Sequence, residues 1–282
     1  MNDWILEADA LSYRYPCGKM ALDSLDLKVA RGRRLVVLGA NGAGKTTLFM
    51  CLNGLLSPQS GGVRINGRIP GSSRSDRREW RRQVGLVFQN PDDQVAAGNV
   101  LQDVAFGPLN LGMSPEAARQ RARESLDILA IGSMAETPTH ELSFGMRKLV
   151  AIAGVLSMRP EIIVLDEPTA GIDPEGARQV HQALDSVQAQ GTTLIISTHD
   201  MDMAYEWADE AAILSGGRTL RQGPVSEIFA DTALLQHVRL QSPWLLDITR
   251  QLQSAGVLPA GGAPCRTRQQ LTARLSGVHG SG

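Results

Sequence analysis

Apolar runs of strand length alternate along the chain with segments whose apolar residues recur at helical spacing. Continuous apolar runs, as a strand buried on both faces requires, lie at residues 35–38, 84–88, 162–165 and 193–197. Between the last two, Asp173-Pro174-Glu175 opens a helix with one apolar face. This order predicts an α/β fold with a parallel sheet in its core.

A period-two pattern precedes the first of these runs. Residues 3–34 predict β-structure, with Leu25, Leu27 and Val29 alternating with polar residues before a turn. A second hairpin signal ends at Asn66-Gly67, a pair that suits a tight turn. We therefore expect a small antiparallel β layer beside the parallel core.

Helical spacing dominates from about residue 92 to residue 160. Ser114-Pro115-Glu116 supplies an N-cap, a first-turn proline and a first-turn acid, and opens a helix that we expect to run to about Ala130. The pattern predicts a helical insert between core strands.

The chain changes character after about residue 225. Ser242-Pro243 starts one predicted helix, which ends at Gly256, and a shorter helix runs from Arg268 to Leu275 before a frayed, glycine-rich terminus. We expect a small appended domain here and find no catalytic chemistry in its sequence.

Composition excludes several classes of protein. The 282 residues are 43% apolar, which is ample for a core, and the net charge of -1 gives no footprint for nucleic acid. The arginines between residues 74 and 82 are interleaved with Asp76 and Glu79, as on a solvated helix face. The three cysteines are far apart, which suits a reduced, cytosolic protein.

No segment of the sequence predicts membrane insertion. Met1-Asn2-Asp3-Trp4 lacks the basic and apolar regions of a signal peptide, and no uncharged apolar run approaches the roughly 18 residues of a membrane span. Any membrane role is therefore expected to come through a partner.

A glycine-rich segment lies between the first buried run and a predicted helix at residues 45–56. It reads Gly39-Ala40-Asn41-Gly42-Ala43-Gly44-Lys45-Thr46 and is followed by Thr47. Glycines let backbone N–H groups approach phosphate oxygens, and the helix that follows points its positive end at the same anion. Lys45 can then reach the β- and γ-phosphates, and the Thr46 hydroxyl can ligate Mg²⁺. The segment predicts a nucleotide phosphate site.

Polar residues follow each later buried run, at the strand ends where parallel α/β folds present ligand-facing groups. Gln89 follows the run at 84–88, and Asp166 and Glu167 follow the run at 162–165. Asp166 is placed to hold the metal of a nucleotide site, and Glu167 can polarise an attacking water. His199 lies at the same edge, although a lone histidine is often only a hydrogen-bonded structural residue.

Two further features keep alternatives open at this level. Tyr13 or Tyr15 can stack on an adenine ring, or both can pack on a neighbouring strand. Ser143 can be a plain helix N-cap, or it can present its hydroxyl and the Gly145 N–H to a phosphate.

Taken in the order in which they occur along the chain, these motifs resemble those of ATP-binding cassette (ABC) ATPases. The resemblance covers the chain to about residue 224 and rests on the glycine-rich segment, Gln89, Leu142-Ser143-Phe144-Gly145-Met146, Asp166-Glu167, Ala170-Gly171-Ile172-Asp173 and His199. Segments 89–94 and 103–110, with the tail helices, are similar to the energy-coupling-factor group, above all to its cobalt transporter ATPases.

This resemblance implies a P-loop NTPase fold. It comprises an antiparallel β layer, a RecA-like parallel-sheet core and a helical subdomain at about residues 92–160. The nucleotide-binding domain is expected at residues 1–224 and a small α-containing accessory or dimerisation domain at residues 225–282.

The resemblance also implies roles for residues that hold ATP and Mg²⁺. Tyr15 is expected to stack on adenine, while Lys45 and the loop amides hold the phosphates. Thr46, Gln89 and Asp166 are expected at the metal.

The remaining roles concern hydrolysis. Gln89 is expected to sense the γ-phosphate, Glu167 to polarise the water, and His199 to contact the γ-phosphate. Ser143 and Gly145 are expected to act in trans, across a head-to-tail homodimer. The pentapeptide departs from the family pattern, which usually has Gly at Phe144 and often Gln at Met146.

The implied protein is a Mg²⁺-dependent ATPase that drives an importer. Its partners are integral membrane subunits, a transmembrane coupling protein and a substrate-binding protein, which hold it at the cytoplasmic face of the inner membrane. Cobalt is the expected cargo, with nickel or a vitamin as alternatives. A non-transport ABC ATPase acting on nucleic acid or ribosomes is a rival, against which the single cassette and the lack of basic excess argue.

Overall fold

A computed structural model of the chain describes residues 4–279. Met1–Asp3, which belong to the N-terminal segment without signal-peptide features, and residues 280–282 of the expected frayed terminus lie outside the described residues. The strands, in chain order, are β1 (Trp4–Arg14), β2 (Met20–Ala30), β3 (Arg34–Leu38), β4 (Ser60–Ile65), β5 (Val84–Val87), β6 (Ile162–Leu165), β7 (Thr193–Ser197), β8 (Glu210–Ser215) and β9 (Arg218–Pro224). The α-helices are α1 (Lys45–Leu52), α2 (Arg74–Gln83), α3 (Val100–Asn110), α4 (Pro115–Ile128), α5 (Phe144–Leu156), α6 (Pro174–Gln188), α7 (Met201–Trp207), α8 (Val225–Ala230), α9 (Thr232–His237), α10 (Trp244–Ser254) and α11 (Arg268–His279).

The central sheet has the strand order β5-β6-β7-β3-β8-β9. Its pairs are parallel from β5 to β8, and β9 closes the edge as an antiparallel neighbour of β8. Val36 and Leu38 of β3 belong to a core shared with helices α3 to α10, whereas Leu35 and Val37 belong to a second core on the opposite face. Burial on both faces explains why these strands are continuous apolar runs, as predicted.

The second core is covered by an antiparallel sheet of order β2-β1-β4 and by α1. The predicted β layer is therefore confirmed. The hairpin expected at Asn66-Gly67 is reduced to its turn, with positive φ at both residues and a single bridge from Ile65 to Arg68. The returning segment reaches Pro70 two residues after this bridge, and proline cannot donate to a strand ladder; β4 pairs with β1.

Helices α3, α4 and α5 form the predicted helical insert. The Ser114 hydroxyl accepts from the Ala117 N–H at the start of α4, as an N-cap does. Helix α2 buries none of its residues and carries a capping box at Ser73 and Asp76, so its arginines do lie on a solvated face. None of the helices within residues 4–279 is long and apolar enough to span a membrane.

Two helix ends differ from expectation. Helix α1 ends at Leu52 and not near residue 56, because Gly54 takes a φ of +75°, which ends the helix. Helix α11 continues past Leu275 to His279.

The C-terminal segment is divided between two cores. Val225, Ile228 and Phe229 are part of the larger core under the central sheet. Helices α10 and α11 enclose a separate small cluster of Leu245, Leu258, Cys265 and Leu271. The Arg266 guanidinium joins this unit to α7, donating to the Tyr205 carbonyl at 2.9 Å and also to the Ala208 carbonyl.

Candidate active site

The glycine-rich segment leaves the end of β3 and enters α1 at Lys45. Gly44 has a φ of +108°, and a Cβ there would lie 2.7 Å from the Ala21 carbonyl oxygen. A Cβ on Gly39 would overlap the Leu214 carbonyl oxygen. The loop therefore needs glycine at both positions, and it leads into the N-terminus of α1, where backbone N–H groups can bind an anion.

Lys45 is buried beneath this loop. Its Nζ donates to the Gly39 carbonyl oxygen at 2.7 Å. Burial lowers its pKa, and the charges of Glu167 and Asp166 act in the opposite direction. The ammonium thus lies where an anion held by the loop meets a desolvated positive charge.

Asp166 is held through both carboxylate oxygens. Thr46 Oγ1 donates to Oδ2 at 2.5 Å, and Ser197 Oγ donates to Oδ1 at 2.5 Å. Strand β6 places Asp166 at its carboxyl end, and β7 places Ser197 beside it. Thr46 and Asp166 therefore present adjacent oxygen atoms, the donor type that Mg²⁺ prefers.

No group of three or more His, Cys, Asp or Glu residues capable of holding a metal occurs in residues 4–279. Mg²⁺ in nucleotide sites commonly takes one or two protein ligands and completes its shell with water and phosphate. The Thr46 and Asp166 pair fits that requirement.

Glu167 follows Asp166 and faces His199. His199 Nε2 lies 3.0 Å from Glu167 Oε1, with the glutamate side chain 9% exposed. Burial raises the pKa of the Glu167 carboxyl, and the charges of His199 and Lys45 counteract that shift. A desolvated carboxylate beside the phosphate loop is the arrangement that a base acting on water requires.

One cleft collects most of the site residues predicted from the sequence. Its lining comprises Tyr15, Lys19, Ala21, Asn41, Gly42, Ala43, Gly44, Lys45, Thr46, Thr47, Gln89, Asp166, Glu167 and His199. Tyr15, and not Tyr13, lines this cleft; its hydroxyl is 3.0 Å from Thr47 Oγ1. Tyr13 packs edge-on against the Tyr15 ring, with 5.1 Å between centroids. Gly39 and Ala40 belong to the same loop but are not among the residues that line the cleft.

Ser143 and Gly145 are not among the residues that line the cleft. Ser143 caps α5, its hydroxyl accepting from the Met146 N–H at 3.2 Å. Gly145 faces Ile172, which a Cβ on the glycine would contact at 3.5 Å. Within one chain, therefore, the N-cap interpretation of Ser143 is confirmed, and the phosphate contact remains a prediction about a second chain.

Sequence reasoning missed two residues that shape the site. Ser197 joins the Asp166 carboxylate to the Glu167 N–H, which donates to its hydroxyl at 3.0 Å. Lys148, fully buried in α5, donates to the Glu167 carbonyl. A lysine on the apolar face of a predicted helix was the available signal for the second.

Known proteins are similar to this chain in sequence. The family model for ABC transporters matches residues 22–170. The chain is 46% identical to the cobalt import ATP-binding protein CbiO of Rhodobacter capsulatus, over 97% of this chain and 98% of that protein. It is 43% identical to the energy-coupling factor transporter ATP-binding protein EcfA of Methanosphaera stadtmanae, over 88% of this chain and 89% of that protein.

Solved structures of ATP-binding cassette proteins are similar to this chain as well. The structure of CbiO1 from Clostridium perfringens, described as part of the ABC transporter complex CbiONQ, superposes with a TM-score of 0.74 at 39% identity. The match covers 84% of this chain and 95% of that one. A dimeric ATP-binding cassette in a post-hydrolysis state, bound to ADP and Pi, superposes with a TM-score of 0.70 at 26% identity and covers 78% of this chain and 98% of that one.

Proposed function

Because the chain belongs to the ABC transporter family and is one of its ATPases, we propose that it energises an energy-coupling-factor type importer whose cargo is the cobalt ion. The observation that carries the proposal is the convergence of Lys45, Asp166, Glu167 and His199 on one cleft. The relatives named for cobalt import and energy coupling support the cargo class and the importer type.

The geometry supports a division of labour in ATP hydrolysis. The loop amides and Lys45 hold the phosphates, and Tyr15 provides a flat surface for adenine. Glu167 accepts the proton of the attacking water, while His199, 3.0 Å from its carboxylate, orients that carboxylate and reaches the γ-phosphate. Gln89, at the carboxyl end of β5, closes the cleft toward the γ-phosphate.

Thr46 and Asp166 are the residues proposed to hold Mg²⁺, with Gln89, which lines the same cleft, as a further ligand. When bound, Mg²⁺ neutralises charge on the β- and γ-phosphate oxygens. Ser197 keeps the Asp166 carboxylate oriented, since its hydroxyl occupies the other carboxylate oxygen.

We further propose that two copies associate head to tail. Ser143 and Gly145 lie at the N-terminus of α5, outside their own cleft, where they can meet the phosphates bound by a second copy. The dimeric cassette among the structural neighbours supports this arrangement.

An exposed apolar face on α3 is the proposed contact for a helix of an integral membrane subunit. Phe106 is 63% and Leu109 is 42% exposed, one helical turn apart. Asp103 accepts from the Ala96 and Ala97 N–H groups at 2.9 Å, which fastens α3 to the segment that follows Gln89. Docking here would hold the ATPase peripherally at the cytoplasmic face of the inner membrane and connect the partner to the cleft.

The test is purification of the tagged protein from mild-detergent extracts of its host, followed by labelled-cobalt uptake into reconstituted vesicles. We expect integral membrane proteins to co-purify, and uptake to require ATP and to be lost in Lys45→Ala. Phe106→Glu is expected to lose the partners while retaining ATP binding. Ile69→Glu, at an apolar residue that is 67% exposed elsewhere on the surface, is the matched control.

Recovery of only soluble partners or nucleic acid would remove the transport assignment and leave the ATPase. Uptake of nickel or of a vitamin in place of cobalt would correct the cargo alone.

A further inference from the structure

Lys148 is a fully buried lysine in the middle of an apolar helix. It is 0% exposed, and its neighbours in α5, from Leu149 to Ala153, all belong to the larger core. Burying an ammonium group costs free energy unless hydrogen bonds and charges compensate for the lost water. The contacts of the Lys148 ammonium group therefore indicate which interactions compensate for its burial.

Those contacts converge on Glu167. Lys148 Nζ donates to the Glu167 carbonyl oxygen at 2.8 Å. The Phe144 ring lies one turn earlier on the same helix, with its centroid 5.6 Å from Nζ, where a ring face stabilises a desolvated cation. Burial lowers the pKa of Lys148 to about 8, and the negative charges of Glu167 and Asp166 oppose that shift.

The backbone of Glu167 explains why such a contact is needed. Glu167 has a φ of +47°, in the left-handed region that residues other than glycine seldom occupy. Conformations of this kind persist where the surroundings hold them. The Glu167 N–H donates to Ser197 Oγ at 3.0 Å, and the Glu167 carbonyl accepts from Lys148, so the residue is held on both sides.

We infer that Lys148 is a positioning residue for ATP hydrolysis, which holds the Glu167 backbone in its left-handed conformation and thereby aims the carboxylate into the cleft. The inference rests on the proposed role of Glu167 as the base. Lys148 itself does not line the cleft and touches no group assigned to nucleotide binding.

The first variant is Lys148→Met, which keeps most of the side-chain volume and removes both the donor and the buried charge. We expect kcat to fall about tenfold or more with KM and the ATP dissociation constant within about twofold, the pattern of an interaction that acts only on the chemical step. The thermal unfolding midpoint should change little, because the lost hydrogen bond is offset by removal of a desolvated ammonium, and the Ala170 N–H still donates to the Glu167 carbonyl at 3.1 Å.

Lys148→Gln and Leu149→Met complete the set. The glutamine amide can still donate to the Glu167 carbonyl, so Lys148→Gln should recover part of the lost kcat. Leu149 is buried one residue further along α5, and Leu149→Met changes packing without touching Glu167, so its kcat should match the wild type.

A wild-type kcat in Lys148→Met would overturn the inference, as would a Lys148→Gln variant no faster than Lys148→Met. Failure of the proposed function gives a different result. In that case Glu167→Gln would retain the wild-type kcat, whatever the Lys148 variants do.

Discussion

At the scale of single residues, Tyr15 is the clearest test of how the cleft recognises the base of the nucleotide. Its ring lines the cleft, and Tyr13 supports it from the edge at 87° between ring planes. We expect Tyr15→Ala to weaken ATP binding by about 1–2 kcal/mol, as the loss of an aromatic stack does. Tyr15→Phe should bind nearly as well as the wild type, because the ring and not its hydrogen bond to Thr47 carries the stacking.

Isothermal titration calorimetry with ATP and a non-hydrolysed analogue measures these affinities. Tyr13→Ala is the comparison, with a smaller expected loss since Tyr13 lies outside the cleft lining. Equal losses in Tyr15→Ala and Tyr15→Phe would mean that the hydroxyl, and not the ring, is the binding group.

The sequence located the site residues whose roles follow from their position after a strand. Asp166 and Glu167 follow a buried apolar run, Lys45 opens the helix after the loop that follows another, and parallel pairing brings the ends of both strands to one edge. Ser197 and Lys148 were not predicted because their hydrogen bonds to Glu167 involve its backbone atoms. These bonds span 30 and 19 residues of sequence respectively. Such contacts leave no spacing pattern.

At the scale of elements, Ser143 at the N-terminus of α5 has two roles. It caps the helix, and we propose that it contacts a phosphate bound by a second copy. Ser143 caps the helix, and loss of a cap costs about 0.5–2 kcal/mol of unfolding free energy. Ser143→Asp keeps a capping oxygen but places a negative charge where the partner's phosphate is expected. We predict that Ser143→Asp leaves stability nearly unchanged and abolishes the ATP-dependent dimer, whereas Ser143→Ala loses stability and weakens the dimer.

Chemical denaturation measures the stability, and light scattering with ATP and Mg²⁺ measures the dimer in a Glu167→Gln background, where hydrolysis is slowed. Ser114→Ala removes the cap of α4, away from the cleft, and should lower stability without affecting the dimer. A monomeric Glu167→Gln protein, or a full dimer in Ser143→Asp, would contradict the head-to-tail proposal.

Element types were predictable from periodicity, whereas some element ends were decided by tertiary contacts. Helix α1 stops where Gly54 turns against Trp80, whose indole N–H donates to the Leu52 carbonyl at 2.8 Å. Gly54 is a local signal for this end, two residues after Leu52, and the Trp80 side chain from α2 adds a tertiary contact that the local sequence does not show. The pairing of β4 is also a tertiary contact, because its partner β1 lies more than 40 residues earlier in the chain.

At the scale of the whole molecule, the layered α/β architecture followed from the order of buried runs and helical segments. The domain boundary at residues 224 and 225, expected from the change in sequence pattern and from the resemblance, stays a prediction. Phe229, from the segment beyond it, is 0% exposed and packs against Tyr205 of α7, with 5.5 Å between ring centroids. Helix α8 is only six residues long, so its apolar residues, although most of the helix, do not form a pattern that assigns it to one core or the other.

Two truncations test where the nucleotide-binding unit ends. A chain of residues 1–224 would lose Val225, Ile228 and Phe229 from the larger core. A single buried Phe→Ala change costs about 3–5 kcal/mol, and total stabilities are only about 5–15 kcal/mol, so this truncation should not fold. A chain of residues 1–240 keeps these side chains and loses Leu246 from the larger core, the small cluster around Cys265 and the Arg266 contacts with α7. It should fold with a lowered thermal midpoint and still bind ATP, as measured by differential scanning fluorimetry with and without nucleotide. If the shorter chain were as stable as the longer one and bound ATP equally well, the boundary at 224 would be correct and helices α8 and α9 would belong to the appended domain.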